Sequence, residues 1–174
     1  MRWIDWMGAA VVVVVLACGA GAAAQSAWHT YHNVKYGFSV ETPADPRISE
    51  DVTRASSGPV PTLSGAIDLH DRGGLIFTVA DYSATTESTD PDVVLDGLVK
   101  ALVQKDNGVL DSEISITVQG APGREIVAHT SALQRRMRFV YLNQQLYGLI
   151  AVGPVSSGAP REYERFAGSL SIDR

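Results

Sequence analysis

The sequence has a single cysteine among its 174 residues, Cys18, which lies in an apolar segment near the N-terminus. If that segment is removed, residues 25–174 contain no disulfide, no thiol nucleophile and no thiolate ligand for a metal. A chain of that length buries most of the surface that it exposes when unfolded, so it folds without a covalent link. We expect residues 25–174 to form one such domain.

Basic residues are also scarce, with 14 Lys and Arg against 19 Asp and Glu and a formal net charge of −5. This balance disfavours a nucleic-acid partner, because such binding depends on clustered lysine and arginine. The basic cluster of the chain is Arg135, Arg136 and Arg138. Strand alternation places Arg136 and Arg138 on one face and Arg135 on the other. This pair is either a patch for an acidic partner or two long side chains packed at a sheet margin, and the second reading is favoured.

Motifs of enzyme active sites are missing. The chain has no G-x-S-x-G elbow, no S-x-x-K and neither of the glycine-rich phosphate-binding patterns. We therefore predict no catalytic residue and no cofactor. The alternative is a small exported hydrolase whose triad is assembled from distant segments, because triads are defined by geometry and not by sequence order.

The four histidines do not have the spacing of a metal site. His29 and His32 are three residues apart in a segment that reads as extended, so they point to opposite faces. His70 is predicted to end a strand beside Asp71. His129 is predicted to lie on the sheet near Glu125 by alternation. No metal site is predicted.

The N-terminal segment has the pattern of a secretory signal. An apolar core over residues 7–17 is followed by small residues and an A-x-A-like cleavage site between Ala24 and Gln25. We predict a signal peptide over residues 1–24 and export to the periplasm or the medium. Two alternatives remain: an uncleaved anchor, or a lipid on Cys18 after Val15-Leu16-Ala17. Membrane contact is expected only in those two cases.

Two helices are predicted. Asp90 and Pro91 suit the start of the first, and Asn107-Gly108 suits its stop. Between them, apolar residues recur at helical spacing and form one stripe of Val94, Leu95, Leu98, Leu102 and Val103. A shorter helix is predicted over residues 160–167.

The rest reads as strands over residues 38–42, 63–70, 75–83, 112–119, 124–130, 133–143 and 145–153. Residues 54–65 and 83–91 read as loops, and residues 71–74 and 120–123 as turns. Connections this short pair neighbouring strands antiparallel. The segment 145–153 is apolar on both faces, which is typical of a central strand in a sheet covered on two sides. The prediction is an α+β fold in which helices flank an antiparallel sheet of about six strands.

Four segments carry a resemblance to a known family. They are "YGFSVETPADP" (36–46), "GAPGRE" (120–125), "RFVYLNQQLYGLIAVG" (138–153) and "YERFAGSLSI" (163–172), and together they resemble the PsbP-like family. The resemblance implies an αβα sandwich and usually a non-catalytic role in binding or assembly. It transfers no functional residue to this chain.

The function expected from the sequence is an exported, non-catalytic and monomeric domain that binds a protein or envelope component. Arg136 and Arg138 are the basic candidates for its partner surface. Trp28 and Tyr31 are the aromatic ones, since exposed aromatic residues mark interfaces. The alternative for these aromatics, which is favoured, is that they pin an N-terminal strand to the body of the domain.

Overall fold

The computed structural model describes residues 28–55, 57–85, 90–105 and 108–173. The predicted signal peptide, its cleavage site and Cys18 lie outside these ranges. The strands are β1 His29–Asn33, β2 Phe38–Thr42, β3 Arg47–Ala55, β4 Gly58–Asp68, β5 Gly74–Asp81, β6 Val109–Val118, β7 Ala121–His129, β8 Leu133–Leu142, β9 Gln145–Pro154 and β10 Ser171–Ile172. The helices are α1 Pro91–Lys105 and α2 Tyr163–Gly168, and a 3-10 turn spans His70–Arg72. No helix in the described ranges is both long and apolar enough to cross a membrane.

The core of the fold is a seven-stranded sheet in the order β3-β4-β5-β9-β8-β7-β6, with every neighbouring pair antiparallel. The predicted α+β class and antiparallel pairing are confirmed. The predicted count of about six strands is one short, and the second sheet, β1-β2-β10, was not predicted. That small sheet replaces part of the helical cover expected on one face.

The segment 54–65 was expected to be a loop, and this prediction is wrong. It forms the hairpin between β3 and β4, with Ala55 opposite Gly58. Pro59 and Pro61 suggested a loop because proline cannot donate a ladder hydrogen bond. However, the pairing of β4 with β5 starts only at Thr62, so this stretch of β4 has a partner on one side, where a strand accepts proline.

The turn predicted at residues 120–123 lies one residue earlier and is shorter. Val118 pairs with Ala121, and the two residues between them, Gln119 and Gly120, have φ values of 49° and 84°. A two-residue hairpin of this kind requires positive φ at both positions. Ala121–His129 is then strand throughout, so "GAPGRE" is mostly strand and not turn.

One face of the large sheet is covered by α1. The helix begins at Pro91 as predicted, and the Asp90 carboxylate accepts a hydrogen bond from the Asp92 N–H at 3.0 Å. Its buried side chains are Leu95, Leu98, Val99 and Leu102. They pack in one cluster with strand residues that include Ile126, Met137, Phe139, Leu146 and Ile150. The predicted stripe is therefore confirmed at its leucines, Val94 is half-buried, and the side chain of Val103 lies outside the described residues.

The other face is covered by the small sheet and α2. Four aromatic rings pack between the two sheets. The ring centroid of Phe77 lies 4.9 Å from that of Tyr31 and 5.6 Å from that of Phe38, and the centroids of Phe38 and Tyr147 are 6.0 Å apart. Room for Phe77 comes from Gly65 on β4, where an added Cβ would sit 2.1 Å from the ring. The α2 helix starts at Tyr163, three residues later than predicted, and buries Tyr163, Phe166 and Ala167.

The central strand β9 is apolar on both faces, as predicted. Tyr147, Leu149 and Ala151 belong to the cluster under α2 and the small sheet. Leu146 and Ile150 belong to the cluster under α1. The large sheet is therefore buried on both faces at its centre, and its margins at β3 and β6 remain at the surface.

Candidate partner-binding surface

The predicted arginine pair lies on β8 and binds one carboxylate. Arg138 is directly opposite Glu125 of β7, and its Nη2 lies 2.8 Å from Glu125 Oε2. Arg136 Nη2 lies 3.4 Å from the other oxygen, Oε1. The expectation that both arginines share a face is therefore confirmed. Both are half-buried, with 32% and 18% of their side chains exposed.

The same two arginines also hold α2. Arg138 Nη1 donates to the Ala167 carbonyl at 2.8 Å, near the end of the helix, where a cation is favoured. Arg136 Nη1 lies 2.7 Å from Glu164, and its guanidinium stacks over the Tyr163 ring at 4.5 Å. Their geometry matches the favoured reading, in which long side chains pack at a sheet margin. Much of their hydrogen-bonding capacity is used inside the protein.

The aromatic candidates lie on the same side of the large sheet. Tyr31 packs on Phe77 and so belongs to the joint between the two sheets. The guanidinium of Arg165 lies over the Trp28 ring, with its Cζ 4.6 Å from the ring centroid. Arg165 Nε also lies 2.6 Å from Glu41 Oε2. Both aromatics are half-buried. These contacts fit the favoured reading, in which they pin the N-terminal strand. The α2 helix separates the aromatics from the arginine pair and contacts both.

His129 lies on β7, on the same face as Glu125 as alternation predicted, but its ion-pair partner is Asp111. Its Nδ1 lies 2.9 Å from both carboxylate oxygens of Asp111, whereas Glu125 binds the two arginines. The cause is a bulge: the β6–β7 register jumps between Leu110 and Ser112, so Asp111 is an extra residue that alternation could not anticipate.

The other histidines lie apart from one another. His29 Nε2 is 3.1 Å from Asp45, and His32 Nε2 is 3.3 Å from Asp173. His70 follows β4 in a 3-10 turn, with its backbone N–H donating to Asp68 at 2.7 Å. Within the described ranges, no three His, Cys, Asp or Glu residues come together as metal ligands would.

The structure also presents a surface that sequence reasoning missed, at the β6 margin. β6 ends the sheet order, and all seven of its residues from Val109 to Ser115 are exposed. Ile114 has 61% of its surface exposed. It points to the α2 side, as do Ile116 and, on β7, Val127, both half-buried. Alternating apolar residues in "SEISITV" predicted a strand here, but alternation does not reveal which strand lies at the edge.

The α1 side of β6 is acidic. Arg124 on β7 has 11% of its side chain exposed, and its Nη2 lies 2.9 Å from Asp92 and 3.0 Å from Asp96 on α1. Its Nε lies 3.4 Å from Glu113 on β6. Three carboxylates therefore surround one guanidinium, and Asp92 and Asp96 are 74% and 55% exposed. We call Ile114, Ile116 and Val127 together with Glu113, Asp92 and Asp96 the β6 edge surface.

The antiparallel sheet, with α1 on one face and α2 and the small sheet on the other, defines an α+β domain. The cyanobacterial PsbP from Synechocystis is similar to this chain, with a TM-score of 0.54 at 13% identity over 89% of this chain and 98% of that one. The likeness confirms the PsbP-like fold suggested by the sequence. A Pseudomonas aeruginosa protein of unknown function matches with a TM-score of 0.38 at 15% identity, over 75% of this chain and 85% of its own. No family model and no curated protein matches the sequence.

Proposed function

We propose that this protein is an exported, non-catalytic accessory domain that binds a protein partner through the β6 edge surface. The observation that carries the proposal is Ile114, a large aliphatic side chain with 61% of its surface exposed on a margin strand of the large sheet. Exposed apolar surface beside polar groups is typical of interaction sites. Export is supported by the apolar segment and the small residues before Gln25.

The arginine pair and the aromatics contribute less to this proposal than the sequence suggested. Arg136 and Arg138 have internal partners, and Tyr31 packs on buried rings. We assign these residues to holding α2 and β1 in place. We therefore assign the partner surface to β6. Within the described chain, this strand has a neighbouring strand on one side only.

Affinity capture from the cells that make the protein tests this function. The tagged full chain would be compared with Ile114→Asp and with Val52→Asp, a matched change at an exposed aliphatic residue on the opposite margin strand, β3. We expect one or more proteins to be captured by the wild type and by Val52→Asp and lost with Ile114→Asp. Equal capture by all three chains would contradict the proposed surface.

A specific observation favours a second function, a small hydrolase. In Ser–His–Asp sites a carboxylate at Nδ1 orients the imidazole so that Nε2 can act as the general base, and Asp111 lies at Nδ1 of His129. Activity against ester, amide and phosphoester substrates tests this candidate. Hydrolysis abolished by His129→Ala and kept by His70→Ala would replace the binding function with an enzymatic one.

A further inference from the structure

We propose that β6 accepts an extended segment of a partner protein as an eighth strand of the large sheet, and that this segment alternates aliphatic with basic side chains. The inference rests on the proposed function and specifies the chemistry of the partner. It comes from three features of the β6 edge surface: the free backbone edge, the aliphatic side and the acidic side.

The backbone of β6 provides the first feature. In the described part of the chain β6 pairs with β7 alone, so every second N–H and C=O of the strand points away from the sheet. Such an edge is a template for an added strand. The usable length runs from Ser112 to Val118, because the register with β7 is continuous there and the bulge at Asp111 interrupts it before that point.

The α2 side provides the second feature. Ile114 and Ile116 project to this side, beside Val127 of β7. An added strand would place every second side chain next to them. Cross-strand pairing with β-branched residues favours aliphatic or aromatic partners, and the exposed Ile114 would be covered.

The α1 side provides the third feature. The remaining side chains of an added strand would lie beside Glu113, Ser115 and Thr117 of β6. Asp92 and Asp96 lie further in, on α1, and share Arg124 with Glu113, so this one guanidinium balances only one of three negative charges. Lysine or arginine at these positions of the added strand would neutralise the remaining negative charge. Such complementary charges add specificity and speed association. The overall net charge of −5 acts in the same direction.

Charge also selects against a second copy of this chain as the occupant. Pairing β6 with β6 of another copy would bring two acidic groups of Glu113, Asp92 and Asp96 together along one side, and like charges in an interface are unfavourable. The opposite margin strand, β3, also exposes two aliphatic residues, Ile48 and Val52, but its charges do not favour a basic segment. β3 carries charges of both signs, including Arg47, Asp51 and Arg54, and its Glu50 pairs with Lys35 at 2.7 Å.

A synthetic peptide tests the inference on the full chain. The probe is a fluorescein-labelled peptide of about nine residues, a long strand's length, that alternates Lys and Val. Its binding would be followed by fluorescence anisotropy. Two control peptides accompany it: one that alternates Glu and Val, and a Lys/Val peptide with every amide nitrogen methylated, which cannot donate to β6. We expect the first peptide to bind and both controls to bind at least about tenfold more weakly, a difference of about 1.4 kcal/mol.

Matched variants locate the site. Ile114→Lys and Glu113→Lys on β6 should each weaken the Lys/Val peptide by about three- to tenfold, whereas Val52→Lys and Asp51→Lys on β3 should leave it unchanged. Equal weakening by the two sets, equal binding of the methylated peptide, or a dimer of the full chain that Ile114→Lys dissociates would overturn the inference. If affinity capture depends on Ile114 but the peptide does not bind, strand addition is wrong and the proposed function stands. If capture is also independent of Ile114, both fail.

Discussion

At the residue scale, two buried tyrosines differ in the surroundings of their hydroxyl groups. The Tyr147 hydroxyl lies 3.0 Å from the Tyr36 carbonyl oxygen and 2.5 Å from Gln145 Oε1. Burial, with the negative charges of Asp173 and Asp81, raises the pKa of Tyr147 to about 12. The Tyr163 hydroxyl is buried, and it has no hydrogen-bond partner among the described residues. Burial raises the pKa of Tyr163 as well.

Replacing each tyrosine by phenylalanine should therefore have different effects on stability. Tyr147→Phe should lower the free energy of unfolding by about 1 kcal/mol, since the oxygen that accepts the hydroxyl proton loses its donor. Tyr163→Phe should change it by less than about 0.5 kcal/mol or raise it, since it removes an unpaired buried hydroxyl. Chemical denaturation of the two variants beside the wild type measures this. A larger loss with Tyr163→Phe than with Tyr147→Phe would contradict the described packing.

Also at the residue scale, Glu162 links the turn after β4 to the start of α2. Burial opposes its ionisation, but a hydrogen bond from Arg72 and the charges of Arg72 and Arg161 outweigh burial, so the pKa of Glu162 lies below its ordinary value of 4.5. Because the pKa of Glu162 is lower in the folded state than in the unfolded chain, its ionised carboxylate stabilises the fold, and this contribution is complete above pH 4.5. The contribution is lost as the pH falls through the folded-state pKa.

The substitution Glu162→Gln removes this pH dependence. We expect the wild type to melt at a higher temperature than Glu162→Gln near pH 6, and the difference to shrink as the pH falls to about 3. Thermal melts across this range test the sign. Asp71→Asn, at an exposed carboxylate in the 3-10 turn, serves as the control, and a gap for Glu162→Gln that widens on acidification would refute the assignment.

At the scale of elements, Arg124 connects α1, β6 and β7. It lies on β7, and its guanidinium reaches two carboxylates of α1 and one of β6. A lysine has a single amine group and cannot contact all three carboxylates as the planar guanidinium does. The three carboxylates are partly solvated, which reduces the value of each ion pair.

We therefore expect Arg124→Lys to lower the free energy of unfolding by about 1–2 kcal/mol. Arg161→Lys, at an arginine whose side chain is 91% exposed, should change it by less than about 0.5 kcal/mol. Urea titrations measure both, and hydrogen exchange should show that the amides of α1 exchange faster in Arg124→Lys. Equal effects of the two substitutions would mean that Arg124 does not hold the helix.

Elements whose signals are local were predictable from the sequence, and elements that depend on distant partners were not. The stripe of leucines and the Asp90-Pro91 start identified α1, and two-sided apolarity placed β9 at the centre. The hairpin of β3 and β4 was not predictable, because Pro59 and Pro61 suggest a loop. They are tolerated in β4 because β5 does not extend alongside that part of the strand. In the same way, the alternation around Ile114 predicted a strand but not its place at the margin, because strand order is set by tertiary pairing.

At the scale of the whole molecule, the prediction concerns the N-terminal segment that precedes the layered fold. We predict that the chain matures to start at Gln25, because small residues precede that position and an apolar core of signal-peptide length lies before them. Mass spectrometry of the protein from its native cells measures the N-terminus. A start at a modified Cys18 would show a lipid anchor, and a start at Met1 would show a retained segment; either result would contradict cleavage.

The central claim is that the β6 margin meets a protein partner, and site-specific photo-crosslinking in living cells tests it most directly. A photoreactive phenylalanine would replace Ile114 in one chain and Val52, on the β3 margin, in another. We predict that position 114 yields a discrete crosslinked protein and that position 52 does not. Crosslinks from position 52 alone, or none from position 114 in cells where the protein is abundant, would contradict the account.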